Sequence, residues 1–463
     1  MSGTANGIHL LVRGGRLITL DAERRIVDAD VAITGDRIVA VGPAEALVAR
    51  HGPPAEVLDA SGRHVIPGLV NAHTHLFQSA FRGLGDGLSI DDWQRRVTHP
   101  AYVHLTAEDA YWFTLVGCVE NLRSGVTTVV NFQAFPNDFE ACRWTARAFG
   151  ETGLRGLLVK SFYGVNARPG LLGELTAVLA DTERVFAELH GAFDGRVRFC
   201  VGPPGARNAP PEWLRRTHAV AARHGSGVHV HVAENAEGAA EARAWLGRPE
   251  ILHLASVGVV DDRFQAAHCV ALGAEEARLL AAGGGHAIHC PISNMYLANG
   301  VADVPGLHAA GVNVALGTDG AATNNNQDML GVMKMTGLLQ RAVRRDPTLL
   351  PPGRVLEMAT RDGARAAYLD AGAIEAGRLA DLVIVDLSGP HNQPLHRPVS
   401  ALVYSALASD VESVVVGGRV VVRERRLVAV DEQGIIEEAV RRARDLLRRS
   451  GVEADRRPEW PWT

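Results

Sequence analysis

The chain has 463 residues, of which 47% are hydrophobic and 21% charged; these proportions are typical of globular proteins and exclude a disordered or fibrous chain. Its net charge of -5 gives no support for binding to nucleic acid or to a membrane surface. No apolar run approaches the roughly 20 residues that span a bilayer, and the N-terminus lacks the pattern of a signal peptide. Since the five cysteines form no Cys-x-x-Cys pair, we expect a cytoplasmic protein without disulfides.

The first 66 residues predict a small β-structure, because short β-rich segments alternate with glycine and aspartate turns. The expected strands are Leu10–Val12, Arg16–Thr19, Asp30–Ile33, Arg37–Val41 and His64–Ile66. A second set follows in residues 373–431, at Asp381–Asp386, Val411–Val416 and Arg419–Val422. Since each set is too small to form a domain alone, we expect one discontinuous β-sandwich built from both ends of the chain.

Residues 67–372 lie between these sets and alternate apolar strands with helices. The expected strands are Gly68–Ala72, Thr127–Asn131, Gly156–Ser161, Val197–Gly202, Gly227–Ala233, Phe264–Val270, His286–Pro291 and Val312–Gly317. Helical patterns such as Ala107–Arg123, Leu175–Leu189 and Pro211–His224 separate most of them. This alternation indicates an α/β fold with a buried parallel sheet, and the number of units predicts a (β/α)8 TIM barrel. An open doubly wound sheet is the alternative, but no Gly-x-Gly-x-x-Gly follows the first strand.

Residues 432–463 are expected to form a C-terminal helix and a tail. The helix is predicted at Ile435–Arg449, where glutamates and arginines recur at i,i+4 spacing. The tail contains Trp460 and Trp462, which we expect either to dock on a neighbouring surface or to fray.

Two histidines, His73 and His75, follow the first strand of the predicted barrel. Side chains alternate with a period of two along a strand, so both imidazoles are expected on the same side. At the carboxyl end of a barrel strand, such a pair is half of a metal site with nitrogen and oxygen ligands.

Other strand ends carry the same types of residue. His229 and His231 share a face of the fifth strand and Glu234 follows them; His268 ends the sixth strand and Asp319 the eighth. All are expected on one rim of the barrel. Because a catalytic zinc site takes histidine and carboxylate ligands and leaves one position for water, these residues predict a metal-dependent hydrolase.

Sequence blocks around these residues resemble the amidohydrolase superfamily along nearly the whole chain. The blocks are Pro67-Gly-Leu-Val-Asn-Ala-His-Thr-His75, His231-Val-Ala-Glu234, Ala267-His-Cys-Val270, His289-Cys-Pro-Ile-Ser-Asn-Met295, Gly317-Thr-Asp-Gly-Ala-Ala-Thr-Asn-Asn-Asn326 and Ile374-Glu-Ala-Gly-Arg-Leu-Ala-Asp-Leu-Val-Ile-Val-Asp386. They look most like the single-metal aminohydrolases of nitrogen heterocycles, which include S-adenosylhomocysteine/methylthioadenosine deaminases, 8-oxoguanine and guanine deaminases, and triazine hydrolases.

This resemblance implies roles for individual residues. It implies one divalent metal ion, most often Zn²⁺ with Fe²⁺ as a possibility, held by His73, His75, His231 and Asp319. It also implies that the catalytic residues are Glu234, which moves a proton from water to a ring nitrogen, His268, which orients that water, and Asp319.

A site with two metals is the alternative to this assignment. A second metal would need a carbamylated lysine as a bridging ligand. Only Lys160 lies at the end of a predicted strand. The usual bridging position is on the fourth strand, which reads Val201-Gly-Pro-Pro204 and has no lysine there. A single metal is therefore favoured. His229, two residues before a ligand, is interpreted as packing.

The expected reaction is hydrolytic deamination of an amino-substituted heterocycle, in which metal-activated hydroxide attacks a ring carbon and ammonia leaves. Pro204 stands where related nucleoside deaminases have a histidine, and Phe77-Gln78 follows the first motif, so a free purine, pterin or triazine is preferred. Nucleoside deamination, displacement of chloride or an alkylamine from a triazine, and cyclic amide hydrolysis are the alternatives. The expected substrate-binding residues are Gln78, Trp93 and His289. The resemblance also implies a homo-oligomer, because members of the family are commonly dimers or larger.

Overall fold

The computed structural model describes residues 7–135 and 137–452, which form a mixed α/β fold with parallel sheets. The predicted tail tryptophans, Trp460 and Trp462, lie outside the described residues. Within the described ranges, no helix combines the length and the apolar character needed to cross a membrane.

The N-terminal part of the chain is built mainly of short strands, as its pattern predicts. Its elements are β1 (Leu10–Arg13), β2 (Arg16–Ile18), β3 (Ile26–Asp28), β4 (Asp30–Thr34), β5 (Arg37–Gly42), α1 (Ala44–His51), β6 (Glu56–Asp59) and β7 (His64–Pro67). Sequence reasoning missed β3, α1 and β6.

The middle of the chain alternates strands with helices. Its elements are β8 (Leu69–Thr74), α2 (Ile90–Trp93), α3 (His99–Tyr102), α4 (Ala107–Arg123), β9 (Val126–Phe132), α5 (Phe139–Thr152), β10 (Arg155–Ser161), α6 (Leu175–Glu188), β11 (Val197–Gly202), α7 (Pro211–Arg223), β12 (His229–Val232), α8 (Ala236–Leu246), α9 (Glu250–Val257), β13 (Gln265–His268), α10 (Ala274–Ala282), β14 (His286–His289), α11 (Pro291–Tyr296), α12 (Val304–Ala309), β15 (Asn313–Leu316), α13 (Ala321–Asn324), α14 (Met329–Arg344), α15 (Pro352–Met358) and α16 (Arg361–Ala366). Each of the predicted parallel strands is present, with ends shifted by a few residues.

These strands form two parallel sheets, ordered β11-β10-β9-β8 and β12-β13-β14-β15. A parallel bridge between Val201 and Val228 links β11 to the start of β12. At the other junction, the amide of Asp319 donates to the carbonyl oxygen of His73 at 3.0 Å. The strands are buried along nearly their whole length, as expected for parallel strands covered on both faces. Their carboxyl ends consequently come together at one end of the structure.

The C-terminal part returns to the β-structure of the N-terminal part. Its elements are β16 (Leu382–Val385), α17 (Pro398–Tyr404), β17 (Val411–Val416), β18 (Arg419–Arg423), β19 (Arg426–Leu427) and α18 (Glu432–Ser450). One sheet has the order β19-β18-β17-β16-β7-β2-β3, so strands from both ends of the chain share it through the antiparallel pair β7–β16. A second sheet has the order β5-β4-β1-β6.

Ion pairs attach the last helix to the parallel-strand region. Arg442 and Arg449 of α18 both donate to the carboxylate of Asp109 on α4, at 3.1 and 2.7 Å. Asp109 is buried, and it also closes the capping box of α4 with Thr106. The face of α18 that carries Arg442 and Arg449 therefore packs on α4.

Candidate active site

Three histidines and one aspartate converge at the carboxyl ends of β8, β12 and β15. Oδ1 of Asp319 lies 3.4 Å from Nε2 of His73 and 3.3 Å from Nε2 of His75. Nε2 of His231 lies 3.2 Å from Nε2 of His75. The strand register therefore brings together the four residues that the sequence predicts as ligands.

The other ring nitrogen of each histidine is held by a fixed partner. His75 donates from Nδ1 to the carbonyl oxygen of Phe132, and His231 donates to that of Pro204, both at 2.7 Å. Nδ1 of His73 lies 2.8 Å from Nε2 of His229. Such contacts orient the rings of metal-binding histidines and leave Nε2 free to bind.

His229 is itself held in place by a hydrogen bond on the side of its ring away from His73. Its Nδ1 hydrogen-bonds to Oε1 of Gln265, whose Nε2 donates to the carbonyl oxygen of Ala366. His229 is fully buried, and burial lowers its pKa to about 4, so the ring is neutral and can relay this chain of hydrogen bonds. The residue interpreted from sequence as packing thus orients His73.

Asp319 is oriented by two hydroxyl groups. Ser293 and Thr323 donate to its Oδ2 at 2.6 and 3.0 Å, which leaves Oδ1 toward the histidines. Burial would raise the pKa of Asp319, but the adjacent imidazoles of His73 and His75 outweigh it and hold the pKa well below the ordinary value.

The donor set fits a divalent transition metal such as zinc. The ligand atoms of His73, His75 and Asp319 all lie within 4.8 Å of one another. Nε2 of His73 is buried and has no hydrogen-bond partner among the described residues, which is a costly arrangement unless another atom binds there. Burial also lowers the pKa of His73 and His231 well below the ordinary value, so both rings are neutral, as metal ligands must be.

Glu234 and His268 lie beside this cluster and face each other. Oε1 of Glu234 is 3.9 Å from Nε2 of His268, and Asn299 donates to the same oxygen at 3.2 Å. His268 donates from Nδ1 to Oδ1 of Asn294 at 3.0 Å. Burial raises the pKa of Glu234; it would lower the pKa of His268, but the carboxylates of Glu234 and Asp319 raise it above the ordinary value.

The chain turns sharply where these side chains enter the site. Ala233, His268 and Asp319 have φ angles of 48°, 72° and 62°, in a left-handed region that non-glycine residues seldom adopt. Such backbone conformations are costly and concentrate at functional sites. They also explain why β13 ends at His268 rather than at the predicted Val270.

A cavity of about 260 Å³ opens onto Glu234, His268 and the histidine–aspartate cluster. Gln78 and Trp93 line it, and both are buried. Oε1 of Gln78 and Nε1 of Trp93 have no hydrogen-bond partner among the described residues, although Nε2 of Gln78 donates to Tyr102 at 2.8 Å. Each of these two cavity-lining residues therefore carries one buried polar atom without a described partner.

Two other residues considered from the sequence lie elsewhere. His289 is buried at the end of β14, and burial lowers its pKa to about 3. Neither His289 nor Lys160, which is buried in β10, belongs to the described lining of the cavity. A substrate contact by His289 stays a prediction.

Sequence reasoning missed several residues that support the site. Ser293 and Asn294 lie within one quoted block and Thr323 within another, but their partners were unknown. Glu250 gave no signal, because it begins α9 far from the motifs. Its buried carboxylate accepts from the amide of Ala233 at 2.8 Å, next to Glu234, and burial raises its pKa to about 7.

Comparison with known families gives two matches. The profile of the amidohydrolase family matches residues 64–421, which include β8 through β18 up to Val421. The profile of the imidazolonepropionase-like composite domain of bacteria matches residues 31–59.

Three similar proteins cover nearly the whole chain. A 5-methylthioadenosine/S-adenosylhomocysteine deaminase of Syntrophobacter fumaroxidans is 38% identical over 431 residues, covering 92% of this chain and 96% of that protein. A 5'-deoxyadenosine deaminase of Methanothermobacter thermautotrophicus is 40% identical over 390 residues, covering 84% and 89%. The crystal structure of an adenosine deaminase from Xanthomonas campestris with bound zinc superposes with a TM-score of 0.87 at 29% identity, covering 96% and 99%.

Proposed function

Because the chain belongs to the amidohydrolase family, we propose that it hydrolytically deaminates an adenosine-type nucleoside whose 5' position is modified. The exocyclic amino group would leave as ammonia and the ring carbon would become a carbonyl. The relatives support deamination of a nucleoside, which the sequence left open as an alternative. Neither of these two relatives is named for a free base, which Pro204 and Gln78 favoured.

The observation that carries this proposal is the pair Glu234 and His268 beside the histidine–aspartate cluster, at the wall of one cavity. Deamination needs a group that delivers a proton to the ring nitrogen as the ring carbon is attacked. The carboxyl of Glu234 is suited to this task, because Asn299 holds one of its oxygens and the other is left for the substrate. The imidazole of His268, held by Asn294, is suited to orient the attacking water.

We assign His73, His75, His231 and Asp319 as ligands of one divalent ion, and favour zinc because a structural relative was crystallised with it. Such an ion lowers the pKa of water and so supplies a nucleophile near neutral pH. The chain's own contribution is geometric: Phe132, Pro204 and His229 orient the three imidazoles.

Gln78 and Trp93 are proposed to contact the base, because both line the cavity and each has a buried polar atom without a described partner. An indole face also suits a planar heterocycle. A buried acceptor and donor left unpaired discriminate strongly between ligands, since a substrate that fails to pair them loses affinity.

The finer architecture is also proposed rather than established. We propose that β8 to β15 close into one barrel, supported by the bridge at Val201–Val228 and the hydrogen bond from Asp319 to His73. We propose that the sheets of the two chain ends form the predicted sandwich, supported by the buried cluster that Leu10 and Ile33 share with Leu382. The proposed domain boundaries are then 1–66 and 373–431 for the two parts of the sandwich, 67–372 for the barrel, and 432–463 for the C-terminal helix and tail.

The test is a panel of matched bases and nucleosides, with ammonia release and the shift of the ultraviolet spectrum as readouts. We expect 5'-methylthioadenosine, S-adenosylhomocysteine or 5'-deoxyadenosine to give the highest kcat/KM, and activity to disappear on removal of the metal. A higher kcat/KM for adenine, a pterin or an aminotriazine would overturn the nucleoside assignment. Absence of ammonia release from every amino-heterocycle in the metal-loaded protein would overturn deamination itself.

A further inference from the structure

A second cavity, of about 410 Å³, lies at the opposite end of the parallel strands. Its walls come from three parts of the chain: His9 and Asp36 near the N-terminal strands, Arg155 and Arg196 at the amino ends of β10 and β11, and the turn before β18. Because the catalytic cluster lies at the carboxyl ends of these strands, this cavity is separate from the proposed active site.

Arg196 lines this cavity and is only weakly paired with a carboxylate. Its side chain is only 9% exposed, yet its Nε has no hydrogen-bond partner within the described part of the chain. The nearest carboxylate, Asp194, is 3.6 Å from Nη1 and is itself 71% exposed. Burial, together with the neighbouring Arg419 and Arg155, lowers the pKa of Arg196. Nε of Arg196 is therefore a buried donor without a described partner, which is a costly arrangement.

The other charged groups around the cavity are partly paired with one another. Arg155 is buried and donates twice to Asp381 at 3.0 Å, so its charge is already paired. Arg419 is 57% exposed and shares Asp194 with Arg196. Asp36 also lines the cavity and is exposed. Nδ1 of His9, which also lines the cavity, is buried and lacks a described partner.

We propose that this cavity binds a phosphate group, free or as part of a small organic phosphate, with Arg196 as its principal contact. A guanidinium pairs with a tetrahedral oxyanion through two parallel hydrogen bonds, which would give Nε of Arg196 a partner. Arg419 would add a second cation once Asp194 turns toward solvent. Because the walls belong to both ends of the chain and to the parallel strands, the bound anion would hold these parts together.

The test is isothermal titration of the metal-loaded, full-length protein with inorganic phosphate in one arm and adenosine monophosphate in the other. Since phosphate can also approach the catalytic metal, the comparison is between variants. We expect Arg196→Gln to weaken the binding of at least one of these ligands about tenfold or more, the scale of a lost charged hydrogen bond. Arg419→Gln should weaken it less. The matched control Arg184→Gln, which changes an exposed arginine of α6, should leave it unchanged.

Thermal unfolding gives a second readout that distinguishes a binding site from a structural role. Without phosphate, Arg196→Gln should melt at the same or a higher temperature than the original protein, because a buried and weakly paired charge has been removed. With phosphate, the original protein should be stabilised and Arg196→Gln should not. Failure of both ligands to bind at millimolar concentration, or equal binding by the original protein and Arg196→Gln, would overturn the proposal. Deaminase activity enters neither readout, so the test is independent of the proposed function.

Discussion

Replacing Glu234 by Gln separates proton transfer from the geometry of the site. The amide is nearly isosteric with the carboxyl and its oxygen can still accept the 3.2 Å hydrogen bond from Asn299. The substitution leaves the four proposed ligands and their supporting contacts unchanged. What it removes is the ability to hold and release a proton 3.9 Å from Nε2 of His268.

The expected effect is a fall in kcat of about 10² to 10⁴, the usual contribution of a general acid or base, which corresponds to roughly 3 to 5 kcal/mol of transition-state stabilisation. Binding should change little, because the amide side chain would occupy the same space as the carboxyl. The assay is steady-state ammonia release on the best nucleoside, with metal content measured on the same preparation. Glu237→Gln is the matched control, since this exposed glutamate lies in the first turn of α8 and outside the described lining of the cavity.

Two results would refute this reasoning. If Glu234→Gln kept kcat within a few-fold of the original value at full metal content, another group would have to move the proton. If the variant lost its metal together with its activity, Glu234 would be a ligand or would support one. Loss of activity in Glu237→Gln to the same extent would show that the assay reports folding of the α8 region rather than chemistry.

Three further outcomes follow from the contacts around the site and the core. His229→Ala should weaken metal binding about 10- to 100-fold, because His73 loses the partner at Nδ1; competition with a chelator measures this, and unchanged affinity would contradict the orienting role. Arg155→Met should lower the free energy of unfolding by about 3 to 5 kcal/mol, since Asp381 is left buried and unpaired; urea unfolding, with the exposed Arg184→Met as control, checks it. Burial raises the pKa of Glu250 to about 7, so the original protein should lose up to about 3 kcal/mol of unfolding free energy as pH rises from about 4.5 to 7, because the folded state keeps this proton longer than the unfolded state. Glu250→Gln has no such proton, so its stability relative to the original protein should rise over the same range. An equal difference in unfolding free energy between the two proteins at pH 5 and at pH 8 would refute this.

The sequence alone determined the alternation of strands and helices and the types of ligand at the strand ends. Apolar strands such as β9 and β10 are buried on both faces, so their composition differs sharply from that of the helices between them. The spacing of His73 and His75 is enough to predict a shared side, because alternation along a strand is local. The short strands β3 and β6 were not predicted, because their residues are largely exposed and lack the contrast in composition that sets the buried strands apart.

Only the tertiary structure decided which partners each side chain meets. Along β12, His229 and His231 have equivalent local patterns, yet the position of β8 puts one behind His73 and the other beside His75. Glu250 supports Ala233 from a helix that begins 17 residues later, a contact without any local signature. The arginine face of α18 meets Asp109 more than 300 residues away in the chain. The periodicity of the sequence indicates which face of an element is apolar. The partner of a polar group depends on how distant elements pack, so it cannot be predicted from the residues near that group.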